Sequence, residues 1–158
     1  MPDTKSDMKP AAPTRRSANV WSDEERAAMK ESARERKASA RRSPEEERAE
    51  GARDVLAKIA ELPEPDRSMA EGVHRIVTAA APNLVPRTYY GMPAYSRDGK
   101  VLCFFKPKSK FKERYSTFGF ETNAPLDDGV IWPVAFAVME LTPDAEARIV
   151  QLVKKAAG

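Results

Sequence analysis

Residues 89–105, YYGMPAYSRDGKVLCFF, contain two turn signals followed by a run of apolar residues. Asp98-Gly99 separates AYSR from KVLCFFK, and this dipeptide between two strand-like segments predicts a two-residue β-hairpin turn. In residues 101–105, VLCFF, both alternating faces of a strand would be apolar, which is typical of a central strand covered on both sides. These residues therefore predict the middle of an antiparallel sheet.

The first part of the same stretch predicts a bend. Gly91 tolerates a positive φ and Pro93 cannot donate to a sheet ladder, so Gly91-Met92-Pro93 is expected to turn the chain between two short strands. Adjacent strand residues point to opposite faces, and we expect this of Tyr89 and Tyr90. Aromatic residues at such a bend either line a ligand pocket or close the end of a core. The residues of the pocket hypothesis are Tyr90, Gly91, Met92, Pro93, Tyr95, Trp132 and Pro133.

Strand and helix signals on both sides of this stretch predict the rest of the fold. RYSTFGF (114–120) and VAFAVMEL (134–141) have the composition of two further strands. Helix caps are predicted at Ser22, Ser43 and Thr142. The order of elements predicts an α+β fold, in which an antiparallel sheet of four or five strands packs with helices from both ends of the domain. A charged N-terminal helical extension precedes that domain.

Composition divides the chain of 158 residues into three parts. Residues 1–21 are rich in Pro, Ser, Thr and charge, and we predict a disordered tail because they cannot bury enough surface to offset the entropy of ordering. Residues 22–50 predict the charged helical extension. Residues 51–158 contain nearly all the Ile, Leu, Val and aromatic residues and predict the domain. Gly51 is expected to break the helix that Ser43 begins.

The overall charge and the termini exclude several classes of protein. The formal net charge is +3, from 27 basic and 24 acidic residues that are interspersed, so total charge favours no particular partner. Cys103 is the single cysteine, which excludes an intramolecular disulfide. The N-terminus has no apolar segment of the signal-peptide kind, and no run approaches the length of a membrane span. We therefore expect a cytoplasmic protein without a membrane partner.

The residues that most often carry out catalysis are scarce in this chain. His74 is the single histidine and lies inside a predicted helix, where we expect it to be partly exposed or satisfied in packing. Cys103 lies in the apolar strand, and desolvation there is expected to raise its pKa and lower its thiolate fraction. No nucleophile with a neighbouring base is indicated, so the sequence predicts a non-enzymatic protein.

Carboxylates are the remaining candidate metal ligands, because hard cations prefer oxygen. Asp127-Asp128 lies in the turn-like PLDDG, and further acidic residues follow Ser43 in the predicted helix. A structural role is the alternative in both places, since aspartates bond to backbone amides in turns and acids are favoured at the start of a helix. The metal hypothesis names Asp127, Asp128, Glu46, Glu50 and Asp54.

Residues 106–114, KPKSKFKER, form the densest cluster of positive charge. The cluster is interleaved with Phe111 and precedes Tyr115, a composition typical of loops that contact nucleic acid or another anion. Exposed lysines that protect a sheet edge from aggregation have the same appearance. The anion-binding hypothesis names Lys106, Lys108, Lys110, Lys112 and Arg114.

Six motifs in about two-thirds of the chain resemble one protein family. Between residue 54 and the C-terminus they are, in order, YYGMPAY, GKVLCFF, RYSTFGF, LDDG, WPVAFAV and EARIVQLVKKA. In these motifs the chain resembles the YdhG-like domain family of uncharacterised bacterial proteins, some of which are described as frataxin-like intracellular iron chaperones. The resemblance implies a compact α+β domain with an antiparallel sheet backed by helices.

The resemblance also implies a function. It suggests a small non-enzymatic cytoplasmic protein that binds iron weakly through acidic residues and passes it to iron-acceptor proteins. The alternative hypothesis rests on the basic cluster and predicts a module that binds nucleic acid or another polyanion. The family supplies no catalytic residues to carry over.

Overall fold

The structure is a computed structural model, and it describes residues 20–158. The predicted disordered tail lies outside these residues, apart from Val20 and Trp21. Three helices come first, followed by three strands, a one-turn helix, two strands and a last helix. Their bounds are α1 Asp23–Arg41, α2 Pro44–Ala60, α3 Asp66–Ala80, β1 Val85–Tyr89, β2 Met92–Arg97, β3 Lys100–Lys106, α4 Lys108–Phe111, β4 Ser116–Phe120, β5 Ala135–Val138 and α5 Pro143–Ala157.

The five strands form one antiparallel sheet in the order β1-β2-β3-β4-β5. This confirms the predicted α+β fold with an antiparallel sheet and places the apolar strand β3 at the centre. Asp98 and Gly99 have φ values of 52° and 78° and join β2 to β3, as the hairpin signal predicted. Arg97 pairs with Lys100 across this turn.

The core lies between one face of the sheet and helices α2, α3 and α5. Tyr95, Phe105 and Phe118 point to this face and have no exposed surface. Val73 on α3 and Val153 on α5 are buried against them. Complete burial of three aromatic side chains supplies a large part of the hydrophobic stabilisation of so small a domain.

The predicted helix caps are confirmed. Ser43 Oγ accepts from the Glu46 amide at 3.2 Å while the Glu46 carboxylate accepts from the Ser43 amide at 3.3 Å, which is a complete capping box. Ser22 Oγ accepts from the Glu25 amide at 3.1 Å, and Thr142 caps α5 in the same way. These caps satisfy N–H groups that the first turn of a helix leaves without partners.

The prediction that Gly51 breaks its helix is wrong. Helix α2 continues through Gly51, which is buried against β1, so the predicted domain boundary between residues 50 and 51 falls inside one helix. A Cβ atom added to Gly51 would overlap the carbonyl oxygen of Pro86. Glycine is present here because the backbones of α2 and β1 approach too closely for a side chain.

The prediction that Tyr89 and Tyr90 point to opposite faces is also wrong. The turn comes one residue earlier than predicted, at Tyr90 and Gly91, whose φ values are 51° and 75°. Met92 already belongs to β2, and Pro93 pairs with Thr88. Because Tyr90 has left the strand, its ring contacts that of Tyr89 edge to face, with centroids 4.7 Å apart.

Candidate functional site

The turn at Tyr90 and Gly91 presents two neighbouring backbone N–H groups to helix α1. The Glu35 carboxylate accepts from the Tyr90 amide at 2.9 Å and from the Gly91 amide at 2.8 Å. Consecutive N–H groups that point to the same side form a small anion-binding concavity. Burial raises the pKa of Glu35, and the two amide hydrogen bonds act in the opposite direction. The turn therefore binds a carboxylate of the chain itself.

Three lysines pair with other carboxylates of α1, two of them with Glu31, one turn from Glu35. Glu31 Oε1 lies 3.0 Å from Lys110 Nζ, and Glu31 Oε2 lies 3.4 Å from Lys58 Nζ. Glu24 pairs with Lys112 at 2.7 Å, and this hydrogen bond raises the pKa of Lys112. We call the amides of Tyr90 and Gly91, together with Lys58, Lys110 and Lys112, the anion-binding face.

Helix α1 covers the anion-binding face mainly through polar contacts. Ala28 and Ser32 are its buried residues, and both side chains are small. A helix that buries so little apolar surface gains little hydrophobic stabilisation. The ion pairs and amide hydrogen bonds of its carboxylates consequently supply much of the docking energy, and salt weakens such contacts where solvent reaches them.

The structure brings only part of the predicted basic cluster to this face. Lys110 and Lys112 belong to it, whereas Lys106 pairs with Glu113 at 2.5 Å and lies 4.8 Å from the Phe111 ring centroid. Arg114 lies over the Tyr115 ring, at 5.3 Å from its centroid, and Lys108 is half-buried in α4. The five residues thus face several directions around α4.

An apolar groove with a volume of about 400 Å³ lies beside the anion-binding face. It runs between the start of α1 and the sheet face opposite the core. Its polar lining includes Glu25, Lys106 and Glu121. We call it the aromatic groove; its large apolar lining residues include Trp21, Tyr89, Tyr90, Met92, Phe104 and Phe111.

The residues of the pocket hypothesis are divided between the two faces of the sheet. Tyr90 and Met92 line the aromatic groove, and Gly91 belongs to the turn above it. Tyr95 lies in the core. Trp132 is half-buried against the core and Pro133 is exposed, and neither lines the groove. The seven residues are therefore not one pocket, because Tyr95 lies on the core face and the groove on the other.

His74 on α3 makes a polar contact with Tyr95 in the core. His74 Nδ1 lies 3.0 Å from the Tyr95 hydroxyl oxygen, and burial lowers the pKa of His74. Burial also raises the pKa of Tyr95 and raises that of the Cys103 thiol to about 12. The direction for Cys103 is the one that its place in an apolar strand predicted.

The lowered pKa of His74 predicts a pH dependence of stability. The unfolded chain takes up a proton near pH 6.5 and the folded protein only at lower pH, so stability should fall as pH drops through this window. The slope is at most about 1.4 kcal/mol per pH unit for one proton. We expect His74→Gln to abolish this dependence of stability on pH and Tyr95→Phe to retain it. Urea unfolding between pH 7.5 and 5 measures both variants. An unchanged slope in His74→Gln would contradict this assignment.

The predicted metal ligands are not brought together. Asp127 and Asp128 are exposed in the loop before β5, and Glu46 is used by the capping box. Glu50 and Asp54 both pair with Arg42, at 2.6 and 3.0 Å. Within residues 20–158, no group of three or more His, Cys, Asp or Glu side chains has an arrangement that could hold a metal ion. Iron binding stays a prediction from the family resemblance.

Sequence reasoning missed the acidic residues of α1. Glu24, Glu31 and Glu35 follow one another at intervals of seven and four residues, which places them on one side of a helix. Ala28 and Ser32 lie between them at the same helical spacing. Acidic residues around small ones on one side of a helix indicate that this side can pack against a polar surface. The same composition is typical of a helix face exposed to solvent, so the signal was not recognised.

No protein-family profile, no curated protein and no solved structure matches the chain. Membership of the YdhG-like family stays a prediction from the motifs. In the part of the chain that the structure describes, no helix is both long enough and apolar enough to span a membrane.

Proposed function

We propose that the protein is a non-enzymatic binding module that recognises phosphate groups of nucleic acid through the anion-binding face. The observation that carries the proposal is the Glu35 carboxylate, held by the amides of Tyr90 and Gly91 at 2.9 and 2.8 Å. A phosphate offers the same kind of charged oxygen acceptor as a carboxylate. Turns of this geometry bind either group.

The surrounding charges support a polyanionic ligand. Lys110 lies beside Gly91, and Lys58, Lys110 and Lys112 all contact carboxylates of α1. A strand of nucleic acid carries its charges in series, so it can replace several separate carboxylates at once. In this proposal helix α1 is a competitor, whose acidic side chains occupy the face while no ligand is bound.

Salt dependence tests the proposal. We would titrate the full chain into a labelled single-stranded oligonucleotide and follow fluorescence anisotropy at several salt concentrations. Three neutralised phosphates predict a slope of about −2 in log K against log salt, since each contributes about −0.7 on a single strand. Absence of binding at low salt, or a flat response, would overturn the proposal.

We expect Glu31→Gln to strengthen oligonucleotide binding. The change removes the carboxylate charge that pairs with both Lys110 and Lys58, so these lysines become available to phosphate. An exposed ion pair contributes up to about 1 kcal/mol and the two pairs here are partly buried, so we expect a gain of about 0.7–1.4 kcal/mol, which is about threefold to tenfold in affinity.

Glu71→Gln is the matched control for this prediction. Glu71 is exposed on α3, and within the described residues it forms no ion pair. Both variants change the net charge by one unit, so a long-range charge effect would strengthen binding equally in both. Equal affinities of Glu31→Gln and Glu71→Gln would show that α1 does not compete at the face.

A further inference from the structure

The aromatic groove opens where residues 1–19 join the described structure. Trp21, the second described residue, lines the groove and has 52% of its surface exposed. The rest of the lining comes from α1, the β1–β2 hairpin, β3, α4, β4 and Glu121, which follows β4. The N-terminal segment therefore starts from the rim of an apolar groove that no described segment of the chain fills.

The N-terminal segment contains a proline-rich sequence of the kind that binds to aromatic grooves. Residues 9–16 are KPAAPTRR, in which Pro10 and Pro13 are three residues apart and Arg15 and Arg16 follow. Prolines at this spacing lie on one side of a polyproline II helix, which has three residues per turn. Grooves lined with aromatic side chains recognise such segments, because the preformed helix loses little entropy on binding.

Charge complementarity supports the same match. Glu25 and Glu121 lie in the lining of the groove. Among residues 20–158 neither carboxylate forms an ion pair, although the Tyr89 hydroxyl donates to Glu121 at 3.2 Å. Two arginines that follow the prolines would bring positive charge to these carboxylates.

We propose that residues 10–16 of the same chain bind in the aromatic groove, with the prolines on the aromatic side chains and the arginines towards the carboxylates. The connection is long enough: seven residues separate Pro13 from Trp21 and can span about 23 Å when extended. Tethering gives an effective concentration of about 1 mM, so an intrinsic Kd of about 0.1 mM would fill the groove to about 90%. The groove uses the ring of Tyr90 and the anion-binding face its amide, and this proposal does not depend on the proposed function.

The test uses the full-length protein, labelled with 15N, and the double variant Pro10→Ala, Pro13→Ala. In the wild type we expect heteronuclear NOE values of residues 8–16 close to those of the domain. A tenfold loss of affinity in the variant would lower occupancy to about half. The NOE values should then fall, with amide shift changes at Phe104, Phe111 and Thr117. Pro2→Ala, a change of the same type outside the motif, should alter none of these signals.

A second variant tests the groove from its other side. Phe111→Ala removes an aromatic wall and should lower the NOE values of residues 8–16 as the proline variant does, while the spectrum of the core remains that of the wild type. Low NOE values in the wild type, or no shift changes at the groove in the proline variant, would overturn the proposal. Shift changes that grow with protein concentration would also overturn it, because the segment would then bind a second copy.

Discussion

Gly51→Ala is expected to lower the free energy of unfolding by about 2 kcal/mol, although alanine is the better helix former. Inside a helix the change alone would stabilise by about 1 kcal/mol. The added Cβ would overlap the carbonyl oxygen of Pro86, and its next neighbour is the Pro86 carbonyl carbon at 3.3 Å. Both are backbone atoms, so α2 must move away from β1 to make room. Overpacking of this kind typically costs 1–3 kcal/mol and occasionally more, and the upper part of this range is expected here.

Gly72→Ala in α3 is the matched control. A Cβ at Gly72 would lie 2.6 Å from Cδ2 of Leu141, which is the end of a flexible side chain. Leu141 can change its rotamer, so this variant should be within about 1 kcal/mol of the wild type. Urea unfolding followed by circular dichroism measures both variants. Equal stabilities would mean that α2 and β1 are not in close backbone contact.

The parts of the fold that sequence predicts are those that local chemistry determines. Asp98-Gly99 favours a turn with positive φ values. The strand β3 has apolar residues on both faces, so it must be covered on both sides. Capping by Ser43 likewise depends on residues only three positions apart. Elements of this kind were found at the places where their signals lie.

The parts that sequence does not predict depend on contacts between distant segments. Gly51 has the same local signal whether it breaks a helix or allows close approach to a strand, and only the position of Pro86 distinguishes the two. Glu35 contacts Tyr90 and Gly91 across 55 and 56 residues of sequence. A glutamate on a charged helix carries no local sign of such a partner. For this reason the basic residues were identified and the acidic residues that cover them were not.

The chain also shows why a cluster of lysines is weak support for ligand binding when read alone. Lys110 and Lys112 already contact carboxylates of α1, and Lys106 contacts Glu113. A ligand must therefore compete with the protein's own acidic groups, and the net affinity is the difference between two sets of ion pairs. Variants that displace the α1 carboxylates from these lysines are therefore more informative than variants that remove a lysine.

Gly91→Ala should release α1 from the anion-binding face. At φ 75° an alanine costs about 1–2 kcal/mol, because its Cβ is crowded in the left-handed region. The added Cβ would also overlap the Glu31 carboxylate and lie 2.6 Å from Lys110 Nζ. Both atoms end flexible side chains and can move, so the contact costs only the weakening of the charge-assisted hydrogen bond between Glu31 and Lys110, about 1.5 kcal/mol. The total expected loss in the free energy of unfolding is about 3 kcal/mol.

Gly99→Ala separates the two contributions, since it has the same backbone cost without the contact. Gly99 has φ 78°, close to that of Gly91, and a Cβ there would have no heavy atom within 4 Å. We expect this variant to lose about 1–2 kcal/mol and to keep the hydrogen exchange of the α1 amides at wild-type rates. In Gly91→Ala the same amides should exchange about tenfold faster or more, since each 1.4 kcal/mol of docking energy corresponds to a factor of ten.

Oligonucleotide affinity should rise in Gly91→Ala alone if the freed lysines and turn bind phosphate. Equal exchange rates in Gly91→Ala and Gly99→Ala would mean that the carboxylates at the turn do not hold α1 in place. The helix and a ligand would then not compete for the anion-binding face.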